Sequence, residues 1–250
     1  QHRSPSIYVK FPVTDPATLA RITSDEKARK SLSVVIWTTT PWTLPANLGV
    51  CLNGDFEYGV FEAPTEAGPE YLVIAKNLRE SVEKETGLQL SLISTFKGTD
   101  LENGKAHHPF YDRESLIILG DHVSLEAGTG CVHTAPGHGA DDYRVGLKYG
   151  MKILSPVAPN GTFTDEVPEY QGVNIFKANP LIIERLKSLH RLLAFKEFEH
   201  SYPHCWRSKT PLIFRATPQW FMGLDLEGSQ IRQKTMKALD GVKFFPAWGE

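Results

Sequence analysis

Residues 33–47 read SVVIWTTTPWTLPAN, and this stretch decides how the fold of the chain is interpreted. Its first part, residues 34–36, is an apolar β-branched run that predicts a buried strand. Pro41 and Pro45 follow a few residues later, and proline cannot continue a regular strand or helix. The sequence therefore predicts a buried strand that ends in an irregular turn.

Three consecutive threonines, Thr38, Thr39 and Thr40, lie at the end of this strand, with Trp37 before them and Trp42 just after. Threonine carries a hydroxyl on a stiff β-branched stem, so the three form a row of fixed hydrogen-bond donors and acceptors. The two indole rings would wall such a row and keep part of it dry. The pattern suits a small polar ligand, although a threonine-rich strand end with two core tryptophans is the simpler structural alternative.

A second stretch, GTGCVHTAPGHGADDY at residues 128–143, combines glycines with ionisable side chains. Its four glycines allow positive φ angles and a close approach of the backbone to a ligand. His133, His138, Asp141 and Asp142 lie between or just after them. A single histidine would suggest a core residue, and two aspartates would suggest a helix N-terminus. The combination on one glycine-hinged loop favours a binding site.

Together these stretches resemble the editing (CP1) domain of isoleucyl-tRNA synthetases, which are class I aminoacyl-tRNA synthetases. The resemblance rests on WTTTPWTLPAN followed by GTGxVHTAPGHGxDDY, and it extends to HSYPHCWRSKTPLIFRATPQWF at residues 200–221. The related valyl and leucyl enzymes carry a Thr-Thr-Arg-Pro variant where this chain has Thr39, Thr40, Pro41 and Trp42. The resemblance therefore favours the isoleucyl family.

Many short predicted strands with a few helices favour an α+β fold. The resemblance implies a small closed β-barrel-like editing domain decorated with helices over residues 1–200. It also implies a connector over residues 201–250 that returns toward the synthetic domain, with the catalytic Rossmann domain absent. We further expect a helix over 179–190 with Pro180 in its first turn. Residues 24–30 are expected to form a surface loop, and His107 and His108 are expected to be surface residues.

The resemblance implies hydrolysis of mischarged Val-tRNA(Ile) by direct attack of water. The implied catalytic residues are Thr38, Thr39, Thr40, His133 and Asp142, and the implied substrate-binding residues are Trp37, Trp42, Thr43, Asn47, Gly137, His138 and Tyr202. Asp142 is the partner for the substrate's ammonium group, because an ionised carboxylate accepts a short charge-assisted hydrogen bond. The threonines hold the terminal adenosine and the water, while His133 and Thr43 border the amino-acid side chain.

Such a hydrolysis is needed because the synthetic pocket discriminates weakly, and a size-excluding pocket would supply the missing selectivity. A synthetic pocket fitted to isoleucine cannot strongly reject valine, because one missing methylene changes binding too little; this synthetase is the usual example of that limit. A second, smaller pocket admits valine and excludes isoleucine by steric clash. The motifs contain no serine or cysteine nucleophile with an adjacent base, so no covalent acyl-enzyme is expected.

Composition narrows the partners and the compartment. The 250 residues carry a formal net charge of −2, so any RNA contact must come from local patches. Cys51, Cys131 and Cys205 form neither a disulfide framework nor a CxxC pattern, which favours a reducing compartment. No apolar run approaches the roughly 20 residues of a membrane span. We expect no membrane partner, a monomer, and a cytoplasmic location with an organelle as the alternative.

The chain lacks the motifs for activation of isoleucine. The full-length enzymes of the family use ATP and magnesium through His-x-Gly-His and Lys-Met-Ser-Lys-Ser type motifs, and neither occurs here. In some members a zinc knuckle has two cysteines, but here Ser208 stands where the partner of Cys205 would be. We therefore expect no cofactor and no metal in this chain. The expected partners are the 3′ end of tRNA(Ile) charged with valine and the rest of the synthetase chain.

Two alternatives remain open from the sequence. The chain could bind a tRNA end without hydrolysis, with phosphate contacts from the basic residues Arg185, Lys187, Arg191 and Lys196. It could also be an editing domain of the valyl or leucyl type, against which Trp42 argues. Deacylation of valyl-tRNA would separate the first alternative from an enzyme.

Overall fold

A computed structural model describes residues 2–65 and 68–249 of the chain. Residues up to Ala216 form one compact unit, and residues from Thr217 onward form a second, smaller one. The first unit continues past residue 200 because Ala216 donates its backbone N–H to the carbonyl oxygen of Gly137 at 2.8 Å. The boundary near residue 200 between the editing domain and the connector stays a prediction.

The first unit contains ten described strands and five α-helices. The strands are β1 (His2–Pro12), β2 (Leu32–Thr38), β3 (Gly49–Leu52), β4 (Glu57–Ala63), β5 (Glu70–Ala75), β6 (Ser91–Lys97), β7 (Lys105–His107), β8 (Glu114–Leu119), β9 (Cys131–Thr134) and β10 (Leu192–His200). The helices are α1 (Pro16–Ile22), α2 (Glu26–Ser31), α3 (Arg79–Thr86), α4 (Ala140–Lys148) and α5 (Ile175–Ser188). In the second unit, α6 spans Ile231–Leu239.

The strands form two sheets. One has six strands in the order β10-β1-β2-β5-β4-β6, and the other has four in the order β7-β8-β3-β9. Within them β2 pairs in parallel with β5, and β3 pairs in parallel with β8. The α+β class is confirmed, but the strands do not close into the predicted barrel. The 3-10 turn Pro41–Ala46 redirects the chain out of β2, so that β3 joins the second sheet.

Strand β2 is buried on both faces, as its β-branched run predicts. Val34 and Ile36 belong to the main hydrophobic core, whereas Val35 points to the opposite face and a separate cluster. This alternation follows from the two-residue period of a strand. The strand therefore delivers Trp37 and the threonines from the centre of the six-stranded sheet.

Three local predictions are wrong. Residues 24–30 contain most of α2, because the Asp25 side chain accepts hydrogen bonds from the N–H groups of Lys27 and Ala28. Helix α5 begins at Ile175 behind the N-cap Asn174, so Pro180 lies inside it rather than in its first turn. His108 is fully buried instead of lying at the surface.

Among the helices of the described residues, none combines the length and the apolar character that a membrane span requires.

Candidate functional site

The end of β2 opens into a cleft of about 320 Å³. It is lined by Trp37, Thr38 and Thr39 on one side and by residues of the 122–132 loop on the other. We call it the threonine cleft. The two sequence motifs therefore meet, since the strand-end threonines face the loop that begins the second motif.

Local hydrogen bonds fix the threonine row. The Thr38 hydroxyl accepts the backbone N–H of Thr40 at 3.1 Å and lies 3.2 Å from the Thr40 hydroxyl. Such side-chain-to-backbone bonds favour a turn over a continued strand. The bend then turns Thr40 away from the threonine cleft, while Thr38 and Thr39 stay in its wall.

Two glycines let the facing loop pack tightly. Gly128 has a φ of 78° and lies against the ring of Trp37, where an added Cβ would come within 3.1 Å of it. Gly130 has a φ of 73°, and a Cβ there would clash with Ala75. The carbonyl oxygen of Gly130 accepts the buried hydroxyl of Tyr58 at 2.7 Å. The loop backbone is thus anchored from below and cannot tolerate side chains at these two points.

His133 lies directly behind the threonine turn. The Thr43 hydroxyl is 2.8 Å from the carbonyl oxygen of Thr40 and 2.9 Å from Nε2 of His133. Because the hydroxyl proton is donated to Thr40, the Thr43 oxygen accepts, and Nε2 of His133 must carry the proton. Its Nδ1 is buried and has no partner among the described residues.

Burial determines the charge of this histidine. Desolvation, with a smaller contribution from His138, lowers the pKa of His133 to about 4. The imidazole is therefore neutral at pH 7. Neither His133 nor Thr43 lines the threonine cleft itself, and both side chains are buried. Their shared hydrogen bond joins the first motif to the second.

Asp142 lies in the first turn of α4. Its Oδ2 accepts the backbone N–H of Ala135 at 2.8 Å, and Gly139 leaves no Cβ in the way of the carboxylate. Burial raises the pKa of Asp142, and the opposing effects include the Ala135 hydrogen bond and the charge of His122. Asp142 lines neither cleft described here, but its field reaches His122, which lines the threonine cleft. Asp141, by contrast, is exposed and pairs with Arg144 at 2.9 Å.

A second cleft of about 600 Å³ lies beyond the threonine turn. Its aromatic lining residues are Trp42, Phe176, Phe195 and Tyr202, and we call it the aromatic cleft. Thr39 lines both clefts, whereas Thr40 lines the aromatic cleft alone. Of the predicted substrate-binding residues, Trp37 therefore lines the threonine cleft, whereas Trp42 and Tyr202 line the aromatic cleft.

Besides Thr43, three predicted binding residues line neither cleft. Asn47 is fully buried, and its amide donates to the carbonyl oxygen of Gly49 and accepts the Ser115 hydroxyl. Gly137 lacks room for a side chain because the carbonyl oxygen of Leu154 lies against it. His138 is buried and contacts Trp42 edge-on, with ring centroids 5.1 Å apart.

His138 also joins its loop to the chain beyond residue 200. Its Nδ1 lies 3.1 Å from the carbonyl oxygen of Phe214, so Nδ1 carries the proton and donates it. Burial lowers the pKa of His138, which favours the neutral form. These contacts assign His138 a packing role beside Trp42, whereas Asn47 and Gly137 support the backbone around the turn.

Sequence reasoning missed three residues that hold the 3-10 turn. His108 donates from Nε2 to the carbonyl oxygen of Leu44 at 2.9 Å, and Arg113 donates to that of Pro45 at 2.5 Å. Asn179 accepts the backbone N–H of Trp42 at 3.0 Å. All three are distant in sequence from the turn. No periodicity or motif marks them, so only the fold reveals them.

Comparison with known sequences finds a strong similarity to isoleucine--tRNA ligases. The chain is 49% identical over 248 residues to the isoleucine--tRNA ligase of Caldanaerobacter subterraneus subsp. tengcongensis, covering 99% of this chain and 26% of the ligase. It is 48% identical over 250 residues to the isoleucine--tRNA ligase of Petrotoga mobilis, covering 100% of this chain and 25% of the ligase. The predicted resemblance to isoleucyl-tRNA synthetases is therefore confirmed by sequence similarity along almost the whole of this chain. It spans about a quarter of the length of these curated relatives. No protein-family model matches the sequence.

Solved structures with a similar fold are also synthetase editing domains. The P. knowlesi cytosolic leucyl-tRNA synthetase editing domain matches with a TM-score of 0.59 at 12% identity, covering 78% of this chain and 96% of that one. The P. falciparum cytosolic leucyl-tRNA synthetase editing domain matches with a TM-score of 0.57 at 11% identity, covering 79% of this chain and 100% of that one. At these identities the likeness concerns the fold, which is that of an editing domain.

Proposed function

We propose that this editing domain hydrolyses the ester of Val-tRNA(Ile) by direct attack of water and excludes Ile-tRNA(Ile) by size. The observation that carries the proposal is the convergence of the two motifs: Thr38 and Thr39 face the glycine loop, and Thr43 is bonded to His133 behind them. The ester carbon and the terminal ribose would lie in the threonine cleft. Fixed hydroxyls there would orient the water, since they are already held by the turn.

The reaction needs no covalent intermediate. The water oxygen bonds to the ester carbonyl carbon, and the bond from that carbon to the ribose oxygen breaks. The ribose oxygen takes up the proton that the water gives up, and the neighbouring ribose hydroxyl relays it. His133 is a poor general base at neutral pH because its pKa is about 4. We assign it to positioning Thr43 and to filling space.

Asp142 is the proposed partner of the substrate's ammonium group. Its Oδ2 is held by the N–H of Ala135, which fixes the direction of the other carboxylate oxygen. Burial disfavours the isolated carboxylate, so a cationic partner would restore the stability of its charged form. The ammonium of an aminoacyl ester supplies that charge.

Size exclusion would arise at the layer formed by Thr43 and His133. Both side chains are buried and joined by a hydrogen bond, so the wall cannot retreat without breaking it. Forcing an extra methylene into a packed site typically costs about 1–3 kcal/mol. Isoleucine would meet this penalty and valine would not.

The alternative of a tRNA-binding module without chemistry depends on four basic residues, and three of the four have acidic neighbours. Lys187 pairs with Glu184 at 2.7 Å, Lys196 pairs with Glu85 at 3.0 Å, and Arg185 lies 3.9 Å from Glu169. These three cations therefore offer less net positive charge to a phosphate than the sequence alone suggests.

The wider setting of the domain is part of the proposal. We propose that it works within a longer ligase chain in the cytoplasm or an organelle, where ATP and magnesium serve the synthetic domain. This segment would need neither, and it would bind no zinc at Cys205. Metal analysis of the purified chain should find no stoichiometric zinc.

The decisive experiment measures valine release from Val-tRNA(Ile) by this chain, alone and within a full-length ligase that contains it. Release with multiple turnovers, and no acylated protein in the mass spectrum of a quenched reaction, is the expected result. Binding of the tRNA without valine release in both forms would favour the binding module instead.

A further inference from the structure

We propose that Arg215 is a positioning residue for the ester hydrolysis, because it holds in place the turn over residues 135–138 that fixes the carboxylate of Asp142. The inference rests on the proposed function, in which Asp142 is the partner of the substrate's ammonium group. It adds to the site a residue from the chain beyond residue 200, outside the two motifs that meet at the threonine cleft.

The turn over residues 135–138 holds Asp142 directly. The N–H of His138 donates to the carbonyl oxygen of Ala135 at 2.8 Å and closes the turn. The N–H of Ala135 donates in turn to Oδ2 of Asp142 at 2.8 Å. Hydrogen bonds to ionised groups are shorter and stronger than neutral ones, so this N–H sets the direction of the carboxylate. A shift of the turn would therefore move the carboxylate of Asp142.

The segment over residues 214–216 lies along this turn. Ala216 donates its N–H to the carbonyl oxygen of Gly137 at 2.8 Å, and Nδ1 of His138 donates to the carbonyl oxygen of Phe214 at 3.1 Å. Two hydrogen bonds, one on each side of Arg215 in the chain, thus join the segment to the turn. The segment is itself anchored, because the partly buried Ile213 packs against the main hydrophobic core.

The side chain of Arg215 joins this segment to another neighbour of the turn. Its Nε donates to the carbonyl oxygen of Val157. Gly137 lies against the carbonyl oxygen of Leu154, so the chain that leads to Val157 also contacts the turn. The turn therefore contacts both segments, and the guanidinium of Arg215 links them to each other. Together the three pieces form a closed ring of contacts.

The charge of Arg215 acts on the same turn. Arg215 is half-buried, and its charge lowers the pKa of His138 in addition to the larger effect of burial. A hydrogen bond from a charged donor contributes more to stability than a neutral one. Its loss would release residues 214–216 from Val157 and loosen the turn. Asp142 would then keep its charge but lose part of its alignment.

The test compares two esters of the same tRNA(Ile), the valyl ester and the α-hydroxyisovaleryl ester, in which a hydroxyl replaces the ammonium group. Wild-type protein should have the higher kcat/KM for the valyl ester. Arg215→Ala should lower that value about tenfold, the usual consequence of losing a hydrogen bond from a charged group, and leave the hydroxy ester unchanged. Arg215→Lys should retain most of the preference, since the bond to Val157 uses a single N–H.

A matched control and a double variant isolate the role of Arg215. Arg207→Ala should change neither ester, because Arg207 is exposed and its guanidinium lies 5.0 Å from the ring centroid of Trp206. With Asp142→Asn already present, Arg215→Ala should cause no further loss on the valyl ester, because the two residues act through one contact. Equal losses on both esters, no loss on either, or full additivity with Asp142→Asn would overturn the positioning role.

A measurement without substrate separates this inference from the proposed function. If wild-type protein hydrolysed neither ester, the proposed function would fail, and hydrogen exchange of the Ala135 N–H, followed by NMR, would decide the inference. Exchange at least about tenfold faster in Arg215→Ala than in the wild type, and unchanged in Arg207→Ala, supports the positioning role. Equal exchange rates in all three proteins overturn it.

Discussion

The hydroxyl of Thr43 joins the two motifs, because it lies 2.8 Å from the carbonyl oxygen of Thr40 and 2.9 Å from Nε2 of His133. It donates its proton to Thr40 and accepts the proton of His133. One side chain thereby fixes the threonine turn and the tautomer of the histidine. The predictions below follow from this arrangement and from the groups around it.

Replacing Thr43 with valine keeps the volume of the side chain but removes both hydrogen bonds. The buried N–H of His133 and the carbonyl oxygen of Thr40 would lose this partner, which should lower the free energy of unfolding by about 1–3 kcal/mol. Urea unfolding measures this change, and Thr43→Ser is the control that keeps the hydroxyl. Equal stability of the valine variant and the wild type would show that the shared bond contributes nothing.

Acid should destabilise the protein through His133. Its pKa is about 4 in the folded state, below the usual value of 6.5, so the unfolded chain takes up a proton first as the pH falls. The contribution of His133 to the free energy of unfolding is fully present above pH 6.5. It decreases by roughly 3 kcal/mol as the pH falls from about 6.5 to 4. His133→Gln should flatten the stability curve in that window. An unchanged slope would contradict the assignment. The pKa values of His108 and His138 are also lowered, so these two residues contribute to the pH dependence with the same sign.

Asp142→Asn separates the charge of this side chain from its structural bond. The amide oxygen can still accept the Ala135 N–H, so the fold should persist, while the ammonium contact is lost. Valyl-tRNA deacylation should fall by at least about tenfold, the usual effect of losing a hydrogen bond to a charged group. Asp142→Ala should abolish it. Asp141→Ala is the control, and a larger loss there would move the ammonium site to Asp141.

The 3-10 turn should depend on His108. This imidazole donates to the carbonyl oxygen of Leu44 and accepts the N–H groups of Phe110 and Tyr111. His108→Ala leaves these buried groups unpaired and should cost at least about 2 kcal/mol of stability. His107→Ala, at the partly exposed neighbouring position, should cost less than about 1 kcal/mol. Thermal unfolding of the two variants measures their losses of stability. Similar losses would show that His108 does not hold the turn.

The sequence predicts the central strand and the strand-end turn, because both depend on local chemistry, whereas the meeting of the two motifs is implied by the family resemblance. Three threonines between Trp37 and Pro41 also predict a polar ligand surface. The division of that surface into two clefts was not predictable. It depends on the bend that places Thr38 and Thr40 in different walls, and the bend is held by Asn179 and by residues of the β7–β8 region.

Burial of single polar residues was the other unpredictable feature. His108 lies in a polar stretch without periodicity, yet its three backbone partners make full burial possible. The start of α5 was misplaced because Pro180 suggested a first turn, whereas Asn174 is the residue that caps the helix. In both cases a hydrogen bond formed in the fold outweighed a local signal.

His133 is the predicted wall of the size filter. His133→Ala should enlarge the space behind Thr43, so that Ile-tRNA(Ile) becomes a substrate and is deacylated. Volume rather than charge should matter, so the effect should be the same at pH 6 and pH 8. If the variant lost valyl-tRNA hydrolysis without gaining isoleucyl-tRNA hydrolysis, His133 would instead orient the water or the ester.

The central claim is that this domain discriminates by size while hydrolysing an aminoacyl ester. The most direct measurement is the ratio of kcat/KM for deacylation of Val-tRNA(Ile) and Ile-tRNA(Ile), made on the same tRNA preparation with the wild-type protein. We predict that kcat/KM is at least about tenfold higher for the valyl ester. This ratio corresponds to a free-energy penalty for isoleucine that lies within the range for an overpacked site. A ratio near one would contradict the account.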